Sequence, residues 1–158
     1  MSAATPPSAG PDAGAVPEDA IFRASRVLAH GPGAVYAAFE QPAHLAAWWG
    51  PEGFTNTFEC FEFRVGGLWR FTRHGPDGRD YANQSVFQAL EPGRRLVIRH
   101  DCAPYFTLTV SLRPEAGGTR IDWTQVFDDV QVARGVRPIV GSANEQNLDR
   151  LARVLAAS

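Results

Sequence analysis

From Gly50-Pro51 to Phe127 the apolar residues recur at every second position, and turn-forming clusters interrupt them at five places. The interruptions are Gly66-Gly67, Gly75-Pro76-Asp77-Gly78, Glu91-Pro92-Gly93, Asp101 to Pro104, and Ala116-Gly117-Gly118. A period of two is the signature of a strand with one buried face, and glycine and proline are the residues that reverse a chain. Six strands therefore follow one another through short connections. Parallel neighbours need a long crossover, so these strands form an antiparallel meander.

The alternation also assigns faces. Phe106, Leu108, Val110 and Leu112 alternate with Thr107, Thr109, Ser111 and Arg113, and Ile121, Trp123, Gln125 and Phe127 share a face against Arg120, Asp122 and Thr124. Leu96, Ile98 and His100 form a third inward row, which places His100 and Gln125 on the buried side. Trp69 and Phe71 mark the inner face of another strand. Between Phe58 and Phe61 the apolar parity changes, and one extra residue near Glu59 or Cys60, a β-bulge, accounts for it.

The flanks have a different period. Ile21 to Ala29 reads as a strand, Gly31-Pro32-Gly33 breaks it, and residues Ala34 to Glu40 read as a helix with Pro32 near its first turn. A second short helix starts at Pro42 and runs to Trp48, where Gly50-Pro51 ends it. After Asp128-Asp129, an N-cap candidate, the pattern is helical again; Pro138 is expected to kink or restart the helix, whose main part runs from about Pro138 to Ala156. Its apolar stripe is Leu148, Leu151, Ala152 and Leu155, continued one and two turns earlier by Asn144 and Val140. A stripe that turns polar at one end suits a core opening into a cavity, because a dry core leaves the Asn144 amide unpaired. The expectation is one α+β domain over residues 20–158, preceded by a disordered tail over residues 1–19, whose Ala, Pro, Gly and Ser have almost nothing to bury.

Composition removes several functions. The formal charge is −2, from 17 acids against 15 bases, and all the bases are arginines, scattered singly apart from the pair Arg94 and Arg95 at a turn, so a nucleic-acid surface is not expected. The two cysteines, Cys60 and Cys102, have no CxxC spacing, which argues against a disulfide scaffold or a zinc ribbon and fits a reduced cytoplasm. No apolar run approaches the roughly 18 residues of a membrane span. The chain has no GxSxG elbow, P-loop, dinucleotide fingerprint or HExxH, so no cofactor is expected.

Taken together, Val35-Tyr36, Trp48-Trp49-Gly50-Pro51, Val65-Gly66-Gly67 with Trp69-Arg70-Phe71, Gly75-Pro76-Asp77-Gly78, and Asn144-Glu145-Gln146-Asn147-Leu148-Asp149-Arg150-Leu151 resemble the START-like (SRPBCC) superfamily. Within it they resemble bacterial homologues of the activator of the heat-shock protein 90 ATPase, over about Ile21 to Leu155. The resemblance implies a helix-grip fold: a curved antiparallel sheet wrapped around a long C-terminal helix, with two short helices closing a cavity. It does not imply one activity, since the superfamily holds lipid carriers, hormone receptors, polyketide cyclases and chaperone activators.

The candidate binding residues are Trp48, Trp69, Phe71, His100, Phe106, Trp123, Gln125 and Asn144, a mostly apolar set with a few orienting polar groups. Any single aromatic among them fills a core more often than it meets a ligand. His100 is the candidate catalytic group, as a base or proton shuttle titrating near neutrality, but no second titrating group is tied to it by spacing. Cys102 lies two residues on and offers a second ligand atom, yet two ligands do not make a zinc site. The leading expectation is the binding of a small hydrophobic or aromatic molecule in the cavity between the sheet and the C-terminal helix, with no specific biochemical role assigned. The alternatives are a cyclase- or dehydratase-like enzyme working through His100, and a chaperone-activating module.

Overall fold

The computed structural model describes residues 16–157. A turn of 3-10 helix, Glu18–Ala20, leads into β1 (Ile21–Leu28); α1 (Pro32–Glu40) and α2 (Pro42–Trp48) follow. Six strands come next, β2 (Thr55–Phe61), β3 (Leu68–His74), β4 (Asp80–Glu91), β5 (Arg95–His100), β6 (Phe106–Glu115) and β7 (Gly118–Phe127), and α3 (Val130–Ala157) closes the chain. All seven strands join one antiparallel sheet in the order β1-β7-β6-β5-β4-β3-β2. The six expected strands are therefore a meander, and β1 adds to its β7 edge.

Local chemistry sets the boundaries. Pro32 and Pro42 each occupy the first turn of their helix, where the missing N–H costs nothing. The Asp129 carboxylate accepts the Gln131 N–H at 2.8 Å, an N-cap bond that starts α3. Pro138 does not divide that helix, which runs as one element through it. The proline costs one backbone hydrogen bond, and side-chain anchoring on both sides of it holds the helix together. The bulge falls where the parity change puts it, between Phe58 and Cys60. At the β2–β3 turn Gly66 has φ of 82°, and a Cβ on Gly67 would sit 2.0 Å from the Glu62 carbonyl oxygen, so neither position accepts a side chain without rebuilding the turn.

The expected tail lies mostly outside the described residues. Its last part does not: the Asp19 carboxylate meets Arg134 at 3.1 Å, its carbonyl accepts from Arg137 at 2.7 Å, and Ala20 is buried. None of the described helices is long and apolar enough to cross a membrane.

The apolar interior has two parts. The larger lies between the sheet, α1, α2 and the C-terminal half of α3, and includes Leu45, Trp48, Trp69, Phe87, Leu108, Trp123, Leu148 and Leu151. The smaller, of Ala20, Phe22, Phe127 and Ala133 with Phe106, Val136 and Val140 against them, lies beneath the N-terminal half of α3.

Candidate functional site

The strands that carry the inward rows cross from one apolar cluster to the other, and polar residues occupy the crossing. On β7 the inward order is Trp123, Gln125, Phe127, and on β5 His100 follows Ile98. Gln125 and His100 are both buried, at 8% and 6% exposure. On α3 the same change occurs between Leu148 and Val140, where Asn147 and Asn144 intervene. The Asn144 amide donates to Gln125 Oε1 at 3.0 Å, so helix and sheet are tied across this polar belt, and each amide meets part of the other's hydrogen-bonding demand. Ser85, buried opposite His100 in the register, continues the belt onto β4.

His100 is held on three sides. Its ring stacks on Phe106 with centroids 4.4 Å apart and planes 9° from parallel. Nδ1 lies 2.8 Å from the Pro104 carbonyl oxygen, and Nε2 lies 2.7 Å from Asn83 Oδ1 and 3.5 Å from Cys102 Sγ. Two oxygens facing two ring nitrogens suit an imidazolium, which donates from both; a neutral ring donates from only one. Burial opposes that charge and holds the His100 pKa below the usual histidine range, aided by the Arg73 and Arg99 charges against the pull of the Pro104 and Cys102 backbone groups. Among the described residues no carboxylate hydrogen-bonds to His100, and no group of three or more His, Cys, Asp or Glu is placed to hold a metal.

The aromatic candidates gather on the other side of the belt. Trp48, Trp69, Phe71 and Trp123 are all buried in the larger cluster, and Trp49 lies among them, 5.4 Å from Trp48, 5.0 Å from Trp69 and 5.7 Å from Trp123 between ring centroids. Phe71 stacks on Trp69 at 4.4 Å. Trp48 donates its indole N–H to the Ala38 carbonyl at 3.0 Å. The indole N–H groups of Trp69 and Trp123 are buried and have no acceptor among the described residues. The eight candidates thus form two neighbouring sets: packed rings (Trp48, Trp69, Phe71, Trp123) and the belt with its stacking partner (His100, Gln125, Asn144, Phe106). A surface depression of about 550 Å³ beside β1 and β7 reaches Trp123. A wider one of about 670 Å³, bordered by Tyr36, Phe63, Arg64 and Leu90, touches none of the eight.

Several residues outside the candidate set organise the site. Asn147, one helical turn after Asn144, donates to the Trp48 carbonyl at 2.8 Å. Arg150 donates to five carbonyls, those of Ala47, Trp49, Gly50, Pro51 and Phe54, all within 3.2 Å. It meets the orphan carbonyls at the C-terminal end of α2, where a cation is favoured, and fixes the loop that carries Trp49. Arg26 pairs with Glu145 and Asp149 from β1. The four residues Asn144 to Asn147 read easily as a solvated helical turn, but with Asp149 and Arg150 they form the strap that binds α3 to α2, β1 and β7. Helical phase reveals Asn147, which is four residues before Leu151; for Arg150 the sequence carries no such signal, because its partners are backbone oxygens that any sequence supplies.

The comparisons agree with this architecture. The solution structure of a protein from Arthrobacter aurescens superposes with a TM-score of 0.82 at 24% identity, covering 89% of this chain and 88% of its own. The crystal structure of CV1439 from Chromobacterium violaceum gives 0.75 at 27% identity, covering 86% and 96%, and an AHSA1 protein from Silicibacter pomeroyi gives 0.72 at 20%, covering 87% and 99%. No curated protein sequence matches the chain significantly. The family model described as "Activator of Hsp90 ATPase homolog 1-like protein" matches residues 29–156, from the end of β1 to the last turn of α3, and the chain belongs to that family.

Proposed function

We propose that the protein binds a small hydrophobic or aromatic molecule between the sheet and α3, at the polar belt and the tryptophans beside it. The observation that carries this reading is the pair of buried indole donors, Trp69 Nε1–H and Trp123 Nε1–H, in an otherwise apolar cluster. A buried N–H without an acceptor costs about 1–3 kcal/mol, so an interior that holds two of them gains when an acceptor-bearing molecule enters. The rings supply apolar contact, and His100, Gln125 and Asn144 supply orientation.

The test is a titration of the ¹⁵N-labelled protein with fatty acids, flavonoids and phenolic acids, following the four indole N–H signals. The Trp69 and Trp123 signals should move together and saturate. Shifts confined to surface groups would refute the reading. A second reading rests on the family's description alone, the stimulation of a heat-shock protein 90 ATPase. A steady-state ATPase assay with the bacterial chaperone separates the two, since ligand binding predicts no stimulation.

A further inference from the structure

Among the described residues six arginines are partly withdrawn from solvent, and five of them have partners. Arg26 is paired with Glu145 and Asp149, Arg95 with Glu91 and Arg120 with Asp122, Arg99 grips both oxygens of Asp128 at 2.7 Å, and Arg150 meets five carbonyls. The sixth is Arg73. On β3 it follows Trp69 and Phe71 in the inward row, opposite Tyr81, while Asn83 stands opposite Phe71. Its guanidinium carbon lies 5.1 Å from the centre of the Phe54 ring and 5.8 Å from that of Tyr81. Ring faces attract the cation but leave its in-plane N–H groups free, and Arg73 Nε is buried without an acceptor. No carboxylate or carbonyl among the described residues bonds to it. Burial lowers its pKa, as expected for a cation lacking a counter-charge.

We infer that Arg73 is the anchor for a carboxylate, and that the molecule held beneath α3 is an amphipathic monocarboxylic acid. This rests on the ligand-binding reading above. The charge count selects the class: one guanidinium balances one negative charge, whereas a phosphate monoester would bring an uncompensated second charge into a partly buried site. The planar fork of arginine matches a carboxylate with two parallel N–H···O bonds. Asn83 and His100, which share a 2.7 Å contact, form the adjoining polar wall, and Phe54, Tyr81 and Phe71 supply the apolar surround.

The experiment uses 4-phenylbutyrate and its neutral amide, two probes of nearly equal shape, titrated into the full chain by calorimetry. The acid should bind wild type at least about tenfold more tightly than the amide, and Arg73→Gln should lose about that factor for the acid while leaving the amide within about twofold. Arg70→Gln, at an exposed position on the same strand, should change neither. In wild-type protein the Arg73 Nε–H signal should shift with the acid and not with the amide, which keeps the test independent of how well Arg73→Gln folds. Equal binding of acid and amide would overturn the inference and leave the ligand-binding reading standing. If neither binds and the Trp69 and Trp123 signals stay still, both fall. If acetate alone moves the Arg73 signal while every apolar probe fails, the anion site stands without the apolar ligand.

Discussion

The two halves of α3 rest on different foundations. Its C-terminal half buries Leu148, Leu151 and Leu155 in the larger cluster, and Asn147 and Arg150 tie it to α2 and the loop that follows. Its N-terminal half buries only Ala133 fully, with Val136 and Val140 half-buried and Ile139 68% exposed. One half is a structural post, and the other covers the polar belt lightly. Local opening occurs where few apolar contacts are lost, so the N-terminal half is the part of α3 that opens first.

Leu151, which is fully buried, carries most of the difference between the two halves. Leu151→Ala should cost about 2–5 kcal/mol, the range for a buried leucine left as a cavity. A near-neutral value in denaturant unfolding would show that the C-terminal half is not the post. Arg150→Met should come next, at about 2–4 kcal/mol, since it leaves five carbonyls without their shared charged donor; the Trp49 indole signal should broaden as its loop loosens.

In the N-terminal half Val136→Ala should cost only about 1 kcal/mol, because the side chain is half-buried and its loss is little more than a transfer term. Hydrogen exchange sharpens the point: amides of residues 131–140 should exchange through local opening, and those of residues 147–155 only near the global unfolding free energy.

The smallest expected effect is the pH dependence at His100. Its folded pKa is lowered, so below the unfolded value of about 6.5 the unfolded chain binds more protons and stability falls with pH. Stability at this site is therefore complete above about pH 6.5 and declines as pH drops through the folded pKa. His100→Asn should flatten the stability profile in that window. Asp128, whose carboxyl is held below its usual range by its bonds to Arg99, contributes a loss of the same sign in more acid solution.

The alternation of Phe106 to Leu112 and Ile121 to Phe127, the turn residues between strands, and the parity break before Phe61 determine the meander and its bulge without reference to anything distant, because strand faces and turns are local properties of the backbone. The same local rule brings His100, Gln125 and Trp123 to the inner face. It also makes Arg73 inward, two residues after Phe71, although an arginine in a strand reads at first as solvated. Helical phase put Asn144 on the inward stripe, and only its meeting with Gln125 decided what it does there.

The tertiary structure alone decided which inward residues have partners. That Arg26 and Arg150 are matched and Arg73 is not, or that Trp48 finds the Ala38 carbonyl while Trp69 and Trp123 find none, depends on groups up to 123 positions away in the chain. The sequence by itself determined the period, the turns and the side of each strand that faces inward, since these follow from φ, ψ and side-chain volume. Hydrogen-bond satisfaction belongs to the assembled fold, because it is settled by a few tenths of an ångström between segments that meet only when the sheet has closed on the helix.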